Sequence, residues 1–338
     1  MSSDPPRPSD DSADCVAYRE AGEAELPAVV AYLTDASSRD AEGLTEPSCP
    51  VAVGPLPFSR AEIAIAAAPS GDRLIGACGW TLGDDRVAIC WFPRASTEAI
   101  ARDLLARVVA EASTAGAAFC QMLQPLQTAT SPQRDAFERI AAGILHPYST
   151  LDFLSRVVTR GDSEPTGQQT QAESSFASNA IRFREADRAC FEAALGRTFV
   201  RSLDSTELHP LQTNAEALAG IEAVGDSGTA RWWRMTVDAD AAGTDRSQPS
   251  ADDVGLLMLA EHSLIGAWEI AYLGVVPEAR GRGIGDELVR LAIREAVAAG
   301  VPQLFLAVDR RNAPAIALYR RHGFEPFDTQ RVWTERLL

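Results

Sequence analysis

Two stretches of this 338-residue chain repeat, and that repetition limits the fold more than any single motif does. "VAYREA" (Val16 to Ala21) is echoed by "IRFREA" (Ile181 to Ala186). "DLLARVVAEASTAG" (Asp103 to Gly116) is echoed by "ELVRLAIREAVAAG" (Glu287 to Gly300), with Leu104/Leu288, Glu111/Glu295, Ala112/Ala296 and Gly116/Gly300 in register. The two pairs occur in the same order at offsets of 165 and 184 residues, as a doubled unit with one lengthened loop would give. That loop is "DADAAGTDRSQPSADD" (Asp238 to Asp253), where the first half has only "PSGD" (Pro69 to Asp72). The polar stretch 159–179, rich in Gly, Ser and Gln, reads as the linker. Residues 1–12 are expected to be a disordered tail, with domains at 13–158 and 180–338.

In the second half the pattern predicts strands at 181–184, 231–237, 255–260 and 268–276, with helical segments up to about 224. A helix over 283–299, a strand at 303–308, a helix over 313–322 and a closing strand follow. "FLAV" (Phe305 to Val308) is the continuous apolar run of a strand covered on both faces. Ile284, Leu288, Leu291, Ala292 and Ala296 recur at 3-to-4 spacing, one face of an amphipathic helix, and Gly300 suits its C-cap.

Just ahead of that helix stands "RGRGIG" (Arg280 to Gly285), with glycine at alternate positions. Glycine inside a helix costs about 1 kcal/mol relative to alanine, so the cluster needs a compensating reason. A helix N-terminus offers unpaired N–H groups and partial positive charge, glycines admit phosphate oxygens to the backbone, and two arginines add full charge. A phosphate or pyrophosphate ligand is expected. A dinucleotide G-x-G-x-x-G loop fails, because counting from Gly281 the third glycine position is Asp286.

Charge and composition narrow the partners. All 31 basic residues are arginine, so no Walker-type phosphate loop, which needs lysine, is possible. The formal charge of −16 argues against nucleic acid and anionic membrane and favours a cationic partner. Six scattered cysteines and four unpaired histidines suggest neither disulfides nor a metal site. No run of about 18 apolar residues occurs, and the acidic, proline-rich N-terminus is unlike a signal peptide, so a cytoplasmic protein is expected.

"YLGVVPEARGRGIGDELV" (Tyr272 to Val289) resembles the acetyl-CoA-binding signature of the GNAT acyltransferase superfamily, and "NAPAIALYRRHGFEP" (Asn312 to Pro326) resembles a later motif of that family. The resemblance covers roughly 180–338. It implies an α/β protein of two tandem GNAT-like domains, each a mixed, mostly antiparallel sheet flanked by helices. In the C-terminal domain the strands ending at Val276 and Val308 should splay into a V. Acetyl-CoA as co-substrate would lie there, its pyrophosphate on Arg280, Gly281, Arg282, Gly283, Ile284 and Gly285, with Asn312 at the next helix start.

The same resemblance implies an acetyl-CoA-dependent N-acyltransferase that transfers directly to a primary amine through a tetrahedral intermediate. A main-chain N–H near Val275 or Val276 would hold the thioester oxygen. Tyr319 would protonate the departing sulfur, unless it is simply a core aromatic. Glu269, 11 residues before Arg280, would be the general base, unless it is an ion-pair partner. The acceptor would be a small-molecule or peptide amine, cationic in character. The rival is a non-catalytic acyl-CoA-binding protein that retains the loop.

The first half lacks the loop. Opposite "VVPEARGRGIG" stands "WFPRASTEAIA" (Trp91 to Ala101), in which Ser96, Thr97, Ala99 and Ala101 replace Arg280, Gly281, Gly283 and Gly285. Phe137, without a hydroxyl, is the nearest match to Tyr319. A degenerate GNAT-like domain that supports the active one or walls its acceptor site is expected.

Overall fold

The computed structural model describes residues 16–34, 59–66, 73–127, 129–163, 180–182, 187–204, 212–226, 228–236 and 249–337. The expected tail, most of the expected linker and most of the long second-half loop lie outside these residues. Strands β1 (Val16–Glu20), β2 (Arg60–Ala66), β3 (Arg73–Leu82), β4 (Val87–Cys90), β5 (Arg94–Ala95), β6 (Phe119–Pro125) and β7 (His146–Val157) come from the first half. The second half supplies β8 (Ala180–Arg182), β9 (Trp232–Thr236), β10 (Asp253–His262), β11 (Ala267–Val275), β12 (Gln303–Asp309) and β13 (Glu325–Arg336). Helices α1 (Leu26–Thr34), α2 (Glu98–Thr114) and α3 (Ser131–Ala141) precede the middle of the chain, and α4 (Arg188–Phe199), α5 (Asn214–Glu222), α6 (Ile284–Ala299) and α7 (Ala313–Arg321) follow it.

All the strands join one sheet in the order β1-β2-β3-β4-β6-β13-β7-β12-β11-β10-β9-β8, with β5 paired to β3. Only β4–β6 and β11–β12 are parallel, so the sheet is mixed and mostly antiparallel.

The order contains a feature that local sequence does not announce: the last strand of each half is inserted in the other. β13 lies between β6 and β7, pairing with both, while β7 lies between β13 and β12. Packing follows the pairing. Leu154 of β7 belongs to the core built by α6 and β9–β12, and Trp333 of β13 belongs to the core built by α2 on the first-half strands. Each half closes its sheet with a strand of the other, so a fragment ending near residue 160 would leave β6 without β13 and β7 without either neighbour.

Helix α6 forms as its spacing predicts. Ile284, Leu288, Ala292 and Ala296 are buried against the sheet, and Gly300, at φ 72°, ends the helix in the left-handed region that glycine adopts without strain. Among the described residues no helix is long and apolar enough to cross a membrane. Nor does any group of three or more His, Cys, Asp or Glu side chains there stand where it could hold a metal ion.

Candidate active site

β11 and β12 pair only through Trp268↔Leu304 and Glu269↔Phe305, then separate. β12 stays with β7 as far as Asp309, whereas β11 follows β10, whose register with it shifts so that Ala271 is the extra residue of a bulge. A bulge bends a strand and leaves its extra residue unpaired in the ladder. From Ile270 onward one edge of β11 faces no strand. Between the two strands opens a cleft of about 940 Å³.

The glycine loop forms one end of the cleft. Gly281 and Gly283 have φ of 73° and 84°, so the backbone conformation favours glycine, and a Cβ built on either would meet nothing within 4 Å, so the surface beside them is open. Gly283 is the N-cap of α6 and has no side chain with which to satisfy the first-turn N–H groups. A Cβ on Gly285 would come within 3.1 Å of Leu318, so this glycine sets the approach of α7 to α6. Ile284 is buried in the core beneath the loop and can offer only its backbone to the cleft.

The two arginines behave differently from the expectation that both carry charge toward the ligand. The Arg280 guanidinium turns inward and donates to the carbonyl oxygens of Val275 (3.0 Å), Thr198 (3.0 Å), Val200 (2.9 Å) and Arg201 (2.9 Å). It thereby fastens the C-terminal end of α4, where carbonyls lack intrahelical partners, to the edge of the loop. Arg282 is exposed.

Val276 is likewise engaged: its N–H donates to the Val254 carbonyl (3.0 Å), and Val275 pairs with Gly255. The main-chain irregularity that was expected near these residues falls at Ala271 instead, deeper in the cleft.

Tyr319 of α7 lines the cleft and stacks edge-on against Phe324 at 5.8 Å. Burial, with the negative potential of Asp204 and the neighbouring Tyr272, pushes its phenol well above the ordinary value, so it is neutral and can donate a proton. Tyr272 is half-buried, its hydroxyl 2.7 Å from that of Thr198. Asn312 caps α7, accepting from the Ala315 N–H and donating to Asp204 at 2.6 Å, while Asp204 also accepts from the Asp309 N–H. This network fixes the end of β12, the start of α7 and the loop after α4 as one wall.

Glu269 sits one residue before Ile270, at the foot of the V, and is not among the residues lining the cleft. Its carboxylate lies 2.8 Å from Nε2 of the buried His262. Trp232, Trp233 and Trp268 are buried core rather than cleft walls. Sequence reasoning missed Thr198, Asp204 and Tyr272, and also Asp85, which reaches the cleft from the first half. Thr198, Asp204 and Asp85 belong to no motif, Tyr272 only opens the quoted signature, and the chain's folding brings the four together.

Comparison with known proteins agrees with this geometry. Residues 254–324 match the family described as Acetyltransferase (GNAT) family. A mycothiol acetyltransferase of Streptomyces bingchenggensis is 32% identical over 94 residues, 28% of this chain and 30% of that protein. One of Jonesia denitrificans is 37% identical over 86 residues, 25% of this chain and 27% of that protein. The alignments thus span under a third of these curated relatives. A GCN5-related N-acetyltransferase from Sphaerobacter thermophilus shares the fold over 95% of this chain and 96% of its own, with TM-score 0.53 and 17% identity. A tandem GNAT protein from the clavulanic acid biosynthesis pathway does so over 96% and 99%, with TM-score 0.52 and 17% identity.

Proposed function

We propose that this chain is a GNAT-type N-acyltransferase that uses acetyl-CoA to acetylate a primary amine, with residues 180–338 as the catalytic domain and 13–158 as a degenerate partner, a reading supported by the family match over residues 254–324. Residues 1–12 and 159–179 are then tail and linker. The observation that carries this reading is the pairing of a glycine cradle, open where a side chain would be, with a buried neutral tyrosine in the same cleft.

The first-turn N–H groups of α6 and the backbone of Gly281 to Gly285 suit a pyrophosphate. Acetyl-CoA, when bound, supplies the acetyl group as a thioester. The unpaired edge of β11 suits the amide groups of its arm, and the bulge at Ala271 offers a main-chain donor for the thioester oxygen. Tyr319 holds its proton for the departing sulfur. Glu269, oriented by His262 and set just behind the cleft lining, takes the proton of the incoming ammonium through water.

The relatives' name points to a small-molecule acceptor, but alignments this short carry no acceptor site. A cytoplasmic location suits an enzyme using acetyl-CoA.

Calorimetric titration with acetyl-CoA tests the reading. One equivalent should bind, and Gly283→Ala should weaken it; amine-dependent release of CoA thiol should follow. Binding without any thiol release across an amine panel would sink the catalytic reading.

A further inference from the structure

We propose that Asp85, a residue of the degenerate first half, is the anchor for a second ammonium group on the acceptor, so that the preferred acceptor is a dication. This rests on the acetyltransferase reading above.

The cleft does not stop at the second half. Beyond Tyr272 it is lined by Ile221 and Gly220 of α5 and then by Asp85, in the turn between β3 and β4. Ile221 packs in the same cluster as Tyr272 and Met258, beside the β11 bulge, so Asp85 extends the reacting end of the cleft.

Gly220 explains the approach. It lies inside α5, where glycine costs about 1 kcal/mol relative to alanine, and a Cβ there would stand 2.6 Å from Asp85 Oδ2 and 2.7 Å from its Cβ. The absent side chain makes room for Asp85. The turn is held from both sides: Gln212 donates to the Asp85 carbonyl (2.6 Å), the Val87 N–H donates to Asp85 Oδ1 (3.0 Å), and Arg86 at φ 61° reaches the Gly116 carbonyl and Glu216.

Four carboxylates line the cleft, and three are committed. Asp204 accepts from Asn312 and the Asp309 N–H, Asp286 faces Arg321 and His322, and Asp309 is paired with Arg311. The Asp85 carboxylate accepts from two backbone N–H groups, that of Val87 and its own, and no cationic side chain pairs with it among the described residues. Burial raises the Asp85 carboxyl above its ordinary value, with Asp84 and Glu216 adding to the rise against the Val87 hydrogen bond. An ammonium beside Oδ2 relieves that unfavourable charge, while the reacting amine, which must be neutral, occupies the thioester end.

The test uses the full-length protein saturated with CoA, titrated calorimetrically with the α,ω-diamines from propane-1,3-diamine to hexane-1,6-diamine and with the matching n-alkylamines. Steady-state thiol release with acetyl-CoA is measured on the same series. Native protein should favour the best diamine over its monoamine by about tenfold or more in both Kd and kcat/KM. Asp85→Asn and Gly220→Ala should bring that ratio close to one, and Asp85→Glu should keep it with the optimum moved to a shorter diamine. Absence of a diamine advantage in the native protein, or an advantage unchanged in Asp85→Asn, overturns the proposal. Failure to bind acetyl-CoA would be a separate result that removes the acetyltransferase reading itself.

Discussion

The two halves present the same strand splay with opposite contents. In the first half β4 and β6 pair in parallel over Val87↔Phe119, Ala88↔Cys120 and Ile89↔Gln121, after which β4 ends. Phe137 of α3 stacks on Phe92 at 4.6 Å and reaches Trp333 of the inserted β13 at 5.9 Å, packing the space with aromatic carbon. In the second half the corresponding helix carries Tyr319, which lines an open cleft.

The helix starts differ in the same sense. Thr97 caps α2 with its own hydroxyl, which accepts from the Ile100 N–H, whereas Gly283 leaves the first turn of α6 uncapped by any side chain. One half caps its helix with a side chain; the other leaves its helix start without one. A shared fold therefore says little about binding until the helix caps and the contents of the splay are inspected.

The comparison can be broken or sharpened by substitution. The largest effect is expected from Trp333→Ala, which empties the first-half plug from the second half's strand. It should cost about 3–5 kcal/mol in denaturant unfolding, and a smaller loss would mean that the plug is loosely packed. Tyr319→Phe, which makes the second half resemble the first, should lower kcat by about 10²-fold or more with acetyl-CoA Kd little changed. An unaltered kcat would remove Tyr319 from the proton pathway.

Gly283→Ala forces a side chain to φ 84° and should cost about 1–2 kcal/mol, read as weaker acetyl-CoA binding and a lower Tm. Thr97→Gly should cost only a few tenths of a kcal/mol and confer no acetyl-CoA affinity on the first half. The pH dependence supplies a separate check. Burial raises both Tyr319 and Tyr272, so the unfolded chain loses those protons first, and stability should decline as pH climbs above about 10. Tyr319→Phe should flatten that decline.

What the sequence revealed is what short-range physics writes into it. The 3-to-4 spacing of α6, the apolar run of β12 and the glycines before the helix are local patterns, and each appears where expected. Strand exchange was not legible, because alternation tells which face of β7 or β13 is buried and not which strand lies beside it. The inward turn of Arg280 was hidden for a related reason. An arginine beside a glycine loop suits a phosphate or a helix end equally well, and the choice depended on where α4 ends, 81 residues before Pro-x-x-Arg closes onto it at Arg280. Asp85 and Gly220 carry no motif; only their contact gives either one meaning.

The exchange of β7 and β13 also sets a schedule for the growing chain. As a ribosome releases the first half, β6 and β7 emerge with free edges, and β13, the strand that separates them, follows every other described strand of the sheet in chain order. For the interval in which residues 158–325 are made, those edges are templates for any other extended chain nearby. Release of β13 then completes both units at once, so a nascent chain stalled before β13 should be far more prone to aggregation and proteolysis than its length alone would suggest.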